Sequence, residues 1–183
     1  MILRNSFVIP APPAHAWSVL NDVPLVARCA PGAELLEARD DGSYLGAVAV
    51  RLGPMALRFR GVFAYKERDP AAYRVVAQAT GNETQARGTA RAGIVFTLAP
   101  ENGGTRVSIE TNLQLAGAVA QLGRSATIVQ STAQVLVDGF ARNLAAAIEA
   151  EPVAPPQPIS GVRLGLAGLW RALLAWVRGL VGR

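Results

Sequence analysis

The sequence predicts an α+β domain in which a curved antiparallel sheet wraps around one long C-terminal helix, followed by a separate apolar tail helix. Three observations carry this prediction. Between Ala118 and Ala150, apolar residues fall at Val119, Leu122, Ala126, Val129, Ala133, Leu136, Phe140, Leu144 and Ile148, the three-four alternation of one helix face. Arg124, Ser131, Gln134, Asp138, Arg142 and Glu149 fall mostly on the other side, so this helix has one wet face and one that needs a cover. Upstream, the dominant period is two, that of strands with one buried face. From Glu151 the composition changes abruptly, first to a proline-rich stretch and then to an apolar one.

Residues 1–9 read as a strand with Phe7 and Ile9 on one face, closed by Pro10 and the pair Pro12-Pro13. A short helix follows, because Pro13 suits a first helical turn and Ala16, Trp17 and Leu20 form an apolar face before Asn21 and Asp22 break it. A second short helix runs from Leu25 to Cys29 and stops at Pro31-Gly32. Six more strands are predicted, separated by turn residues at Asp41-Gly42, Gly53-Pro54, Asp69-Pro70, Gly81-Asn82 and Asn102-Gly103-Gly104. In the clearest, Met55, Leu57, Phe59, Phe63 and Tyr65 alternate with Arg58, Arg60 and Lys66. The inward set continues with Tyr73, Val75, Ala77 and Ala79, then Ala90, Ala92, Ile94, Phe96 and Leu98, then Val107, Ile109, Thr111, Leu113 and Leu115. Hairpin-length turns join most of these strands, which implies an antiparallel meander.

Gly123 and Gly139 each weaken the long helix by about 1 kcal/mol relative to Ala, so a kink or a late start is expected near Gly123. Small inward residues, notably Gly61, Ala77, Ala79, Ala90 and Ala92, face a helix that offers Ala126 and Ala133. They leave a hollow unless neighbouring Phe and Leu side chains fill it, and composition alone leaves that choice open.

A chain of 183 residues, 51% hydrophobic, supports one good core. Its net charge is +5, but residues 152–183 carry four arginines and no acid, which leaves the preceding part at +1 and without a basic block. Nucleic acid is therefore not an expected partner. The single Cys29 excludes an intramolecular disulfide and a cysteine-rich metal site, in keeping with a reducing compartment. Asn5, Ser6 and Pro10 interrupt the start before an apolar run can form, so no secretory signal is expected.

At this point the chain resembles a known family. The order strand, two short helices, six strands, long helix is that of the helix-grip fold shared by START-like and birch-allergen-like domains. Within it, Ile9-Pro10-Ala11-Pro12 leading into Ala16-Trp17-Ser18-Val19-Leu20-Asn21-Asp22, then Cys29-Ala30-Pro31-Gly32, resemble the G-subunit family of carbon monoxide dehydrogenase. So do Gly53-Pro54 with Phe59-Arg60-Gly61, Gly88, and Gly117 with Ala120-Gln121-Leu122-Gly123. The likeness covers about residues 1–150, and Gly81 to Arg87 departs from the glycine-rich loop of the family pattern. The resemblance implies a non-enzymatic accessory protein working beside a molybdenum hydroxylase of the carbon monoxide dehydrogenase or xanthine dehydrogenase type. It also implies an apolar cavity for a lipid-like molecule such as a respiratory quinone, with no covalently bound cofactor, and recruitment of the hydroxylase to the membrane.

The residues themselves offer little chemistry. His15 is the only histidine, which excludes a histidine-rich metal site, and its place on the first short helix favours a solvent-facing side chain. Cys29 has no second histidine to serve as its base and reads as a buried structural thiol. Glu34, Glu37, Asp40 and Asp41 cluster around a predicted turn and read as a solvated group, while Asn102-Gly103-Gly104 lies between strands and does not open a helix, as a phosphate loop would. What remains is a binding module with no catalytic residue. Its candidate lining is Leu57, Phe59, Phe63, Val75, Ala77, Ile94, Phe96 and Leu113, with Ala126, Val129 and Ala133 from the long helix. Tyr44 and Tyr65 supply the polar contacts that orient a carbonyl-bearing ring.

The expected organisation is a ligand-binding domain over 1–150, a linker over 151–161 and a membrane-associating amphipathic helix over 162–183. Pro152, Pro155, Pro156 and Pro158 make the linker extended, with a reach of about 34 Å at about 3.1 Å per residue. On a helical wheel Arg163, Arg171 and Arg178 fall within about 80°, on a face that Leu174 and Val181 also enter, while Val162, Leu166, Leu169, Trp170, Leu173, Trp176, Val177 and Leu180 take the remaining side. That favours a helix lying in the membrane interface. A spanning helix would place Arg171 near the bilayer centre at a cost of about 3 kcal/mol, which leucines and valines at about −0.4 kcal/mol each just offset. The resulting expectation is a protein on the cytoplasmic side of the inner membrane, peripheral or tail-anchored, whose partners are membrane lipid, a respiratory quinone and the hydroxylase subunits. Two alternatives stay open: a maturation factor acting only through protein contacts, and an enzyme like the polyketide cyclases of related folds, which needs paired acid and base groups inside.

Overall fold

The architecture is visible in a computed structural model, which describes residues 1–52, 55–124 and 126–150. The chain runs β1 (Ile2–Ile9), α1 (Pro13–Asn21), α2 (Val23–Cys29), β2 (Ala33–Ala38), β3 (Ser43–Leu52), β4 (Met55–Asp69), β5 (Arg74–Glu83), β6 (Gly88–Glu101) and β7 (Gly104–Gly117). A 3-10 segment (Ala118–Arg124) then leads into α3 (Ala126–Ala150). The seven strands form one antiparallel sheet in the order β1-β7-β6-β5-β4-β3-β2. Strands β2 to β7 are a plain meander, and β1 adds beside β7, so the two short helices carry the chain from one sheet edge to the other. This is the helix-grip fold. The Gly53-Pro54 turn, the linker and the tail lie outside the described residues.

The short helices start where the prolines and an aspartate allow. Pro13 stands in the first turn of α1, and Asp22 caps α2 by accepting a hydrogen bond from the Leu25 N–H at 3.0 Å. The long helix starts later than its apolar period, in line with the break expected near Gly123, because the chain is pinned first. The Val119 N–H donates to the Arg87 carbonyl at 3.0 Å, and Gly117 (φ 75°) lies so close to Gly88 that a Cβ there would come within 2.8 Å of the Gly88 Cα. Gly139 has a packing reason rather than a bending one. Pro31, just past α2, rests on it, and an added Cβ would meet the proline ring at 2.8 Å. Asn143 Nδ2 fastens the same contact by donating to the Cys29 carbonyl at 2.9 Å.

Curvature comes from a row of glycines. Gly46, Gly61 and Gly81 lie opposite one another on β3, β4 and β5. A Cβ on Gly61 would sit 1.9 Å from the Thr80 carbonyl oxygen, so β4 and β5 approach each other there more closely than a side chain would permit. Two cores close the ends. One gathers Phe7, Ile9, Ala16, Leu20, Val107 and Leu144, with Phe140 edge-on to Phe7 at 5.6 Å. The other packs Leu57 and Phe59 against Val119 of the 3-10 segment.

Candidate functional site

Between the two cores the concave face of the sheet and α3 enclose a hollow of about 670 Å³. The small residues at the centre of the sheet, Gly61, Ala79, Ala90 and Ala92, all border it, so of the two outcomes that composition left open the structure has the hollow. Tyr44, Leu57, Phe59, Phe63, Tyr65, Ile94, Phe96, Leu113, Val129 and Ala133 line it as well.

Three of the residues expected there do not line it. Val75 and Ala77 point inward and are 0% and 2% exposed, but they stand opposite larger partners, Val75 across from Phe96 and Ala77 across from Tyr65 and Ile94. Those larger side chains border the hollow in their place. Ala126 is the first residue of the late-starting α3 and falls in a separate groove beside β1, with Met1, Ile2 and Gln130. The alternation did not reveal a third wall, made of Leu20 and Val23 near the α1–α2 junction, Val26 and Ala27 of α2, and Leu3 and Phe7 of β1. The even-odd pattern of β1 contains the signal for the last two, whereas nothing in a seven-residue helix shows which of its sides faces a cavity.

One region of the hollow is aromatic. Phe63 and Tyr65 meet edge to face at 5.0 Å, and Tyr44 sits 6.4 Å from Tyr65 and 6.3 Å from Phe63. Arg68 lies 4.7 Å over the Tyr65 ring. Burial pushes the Tyr65 phenol up to about 12, with Tyr44 and Asp22 adding to the rise and Arg68 opposing it. Tyr65 therefore keeps its proton throughout the physiological range and can donate to an acceptor. Among the described lining residues the one charged side chain is Glu34, which is exposed and paired with Arg58 at 2.7 Å, so the hollow reaches the surface beside β2.

Other titratable groups stand apart. Cys29 is buried, and burial pushes its thiol up while Arg28 pulls the other way. His15 is partly buried in α1, not fully solvent-facing as expected. Asp41 closes the β2–β3 turn by accepting from the Ser43 N–H at 2.9 Å. Among the described residues no group of three or more His, Cys, Asp or Glu could hold a metal ion, and no helix is long and apolar enough to cross a membrane. The residues expected at the membrane, from Arg163 to Leu180, lie outside the described part.

The family described as the G subunit of carbon monoxide dehydrogenase (CoxG) matches residues 6–149. No curated protein matches the chain. Among solved structures, a conserved protein from Geobacillus kaustophilus superposes with a TM-score of 0.71 at 18% identity, over 82% of this chain and 96% of that one. A protein from Thermus thermophilus gives 0.58 at 18% identity, over 80% and 99%. The Zhui aromatase/cyclase from Streptomyces sp. R1128 gives 0.56 at 13% identity, over 81% and 93%. At these identities the likeness is one of fold.

Proposed function

Because the chain belongs to the CoxG family, a role accessory to carbon monoxide dehydrogenase follows, and we propose that it fills this role as a ligand carrier. The hollow holds an apolar ligand, a respiratory quinone. The tail, residues 162–183, ties the protein to the membrane and so brings a molybdenum hydroxylase of the carbon monoxide dehydrogenase type to it.

The observation that carries this reading is the pairing of an apolar hollow of about 670 Å³ with two phenols in one aromatic region of its wall. A quinone is a flat ring with carbonyl acceptors and an apolar chain. Tyr65, which keeps its proton, and the Tyr44 hydroxyl supply donors for the carbonyls, the Phe63 edge meets the ring, and aliphatic walls at Leu57, Ile94 and Val129 suit the chain. The lining also supports holding over turnover. A cyclase needs paired acid and base groups facing its substrate, and Glu34, the carboxylate among the described lining residues, is exposed and bound to Arg58.

The test is to purify the full-length protein from membranes in mild detergent, extract it with organic solvent, and identify the co-purifying lipids by mass spectrometry beside a form ending at residue 155. The expected result is a quinone in both forms, with the shortened form released to the soluble fraction. A quinone lost with the tail would mean it clung to the anchor, and no specific lipid in either form would refute the carrier reading in favour of a maturation factor.

A further inference from the structure

The outer face of the sheet divides into two halves of different charge. Toward the β2–β3 turn and the far ends of β4 to β7, most bases have an acid beside them: Arg74 with Glu67 at 3.1 Å, Arg106 with Glu101 at 2.5 Å and, on β1 and β7, Arg4 with Glu110 at 2.9 Å, while exposed Lys66 makes no ion pair among the described residues. Toward the β3–β4 connection the balance fails. Arg51, Arg58, Arg60 and Arg91 all point away from the hollow and are exposed, since their chain neighbours Val50, Leu57, Phe59 and Ala90 line it. Of these four, Arg58 alone has a partner, Glu34. Among the described residues, Arg51, Arg60 and Arg91 make no ion pair. The other acid nearby, Glu83, is buried and paired with Arg87 at 3.0 Å.

The register makes these arginines a surface. Arg60 stands opposite Asn82, and Asn82 opposite Thr89, two residues from Arg91. At about 4.8 Å between strands and about 3.4 Å per residue, Arg60 and Arg91 are about 12 Å apart on the backbone. The exposed residues between and beside them, Ala49, Thr80, Asn82 and Thr89, are small or neutral, so the field of the guanidinium groups is not cancelled.

We propose that this arginine face, on the outer side of β3 to β6, docks an acidic protein surface of the hydroxylase; for the partner's identity it rests on the accessory role proposed above. Two features favour protein over membrane as the occupant. The charges are all arginine, whose planar, weakly hydrated fork pairs bidentately with carboxylates. The exposed large apolar side chains among the described residues, Met1, Ile2, Val8, Leu36, Ile128 and Val135, all lie on other elements, so this face has no wedge to bury in a bilayer.

The test compares full-length protein with the variant R60E/R91E and with K66E/R39E, which makes the same charge change at the opposite end of the sheet. Binding to the purified hydroxylase and to phosphatidylglycerol-containing vesicles is measured at low and high salt, and melting curves check the fold. R60E/R91E is expected to bind the hydroxylase at least about tenfold more weakly, with a shallower salt dependence, while K66E/R39E binds as the parent does. Equal hydroxylase binding by parent and R60E/R91E would overturn the docking face and leave the accessory role standing. Loss of vesicle binding with hydroxylase binding intact would reassign the face to lipid. A parent that does not bind the hydroxylase at all would overturn the accessory role and the face with it.

Discussion

Replacing Ala133 by Trp asks whether the space under the sheet is a true void. Ala133 borders the hollow from the first third of α3, and an indole there projects into a volume of about 670 Å³. Filling on the order of 100 Å³ of void at about 24 cal/mol per Å³ stabilises by about 2 kcal/mol. In a close-packed interior the same change costs about 1–3 kcal/mol, because neighbours must leave their rotamers. The two cases thus differ in sign. For a domain of this size about 1 kcal/mol moves Tm by about 2–4 °C, so delipidated Ala133→Trp should melt up to about 4–8 °C above the parent. The same variant should lose affinity for ubiquinone-1 in equilibrium dialysis, since indole and ring compete for one volume. Ala126→Trp, in the groove beside β1, should leave ligand affinity unchanged and serves as the control. A lowered Tm for Ala133→Trp together with undiminished ubiquinone-1 binding would refute both the void and its use.

Three further outcomes follow from particular contacts. Leu144, 0% exposed in the core beneath α1, should cost about 2–5 kcal/mol when cut to Ala, read as a lower urea midpoint with an unchanged slope. Gly61→Ala should be strongly destabilising, because its Cβ would meet backbone at 1.9 Å, while Gly93→Ala, with nothing within 4 Å, should be tolerated; equal Tm values for the two would contradict the sheet geometry described. The Arg87 guanidinium and the N–H groups of Gln85, Arg87 and Arg58 hold the Glu83 carboxyl down at about 2, below its ordinary 4.5. Its folded form is the weaker proton binder, so the stability it contributes is complete above pH 4.5 and is lost as pH falls toward 2. Tm measured across that window should fall more steeply for the parent than for Glu83→Gln.

The fold was legible because its two periods rarely conflict. Strands β5 to β7, and β4 up to the bulge after Tyr65, follow the period of two, the turns carry Gly, Asn, Asp and Pro, and the face of α3 from Val129 to Ile148 repeats the helical period. Legibility ended where a side chain's direction depends on something other than its own period. Val75 and Ala77 obey the alternation and still miss the hollow, because what a small residue exposes is decided by the size of its cross-strand partner. Ala126 obeys the helical period, but the Gly88–Gly117 contact and the Val119–Arg87 hydrogen bond hold the preceding turn in 3-10 form and set where α3 begins. Gly139 shows the same limit from the other side. In the sequence it is a weak point in a helix, and only the approach of Pro31 shows what the missing side chain makes room for.

The glycine row across β3, β4 and β5 has a consequence for how such a protein can change its cargo. A side chain added at Gly46 or Gly61 meets neighbouring backbone, at 2.9 Å and 1.9 Å for the Cβ alone, so at these two positions the shell behaves as a mould whose capacity is set by main-chain geometry. On the helix side, Thr132, Ala133 and Leu136 reach the same space from a regular α-helix, where a longer or shorter side chain disturbs no strand pairing. Fit to a longer, shorter or bulkier guest is thus adjusted on the plug rather than the mould. Swapping that short stretch of α3 between relatives should transplant guest preference while the sheet stays as it is.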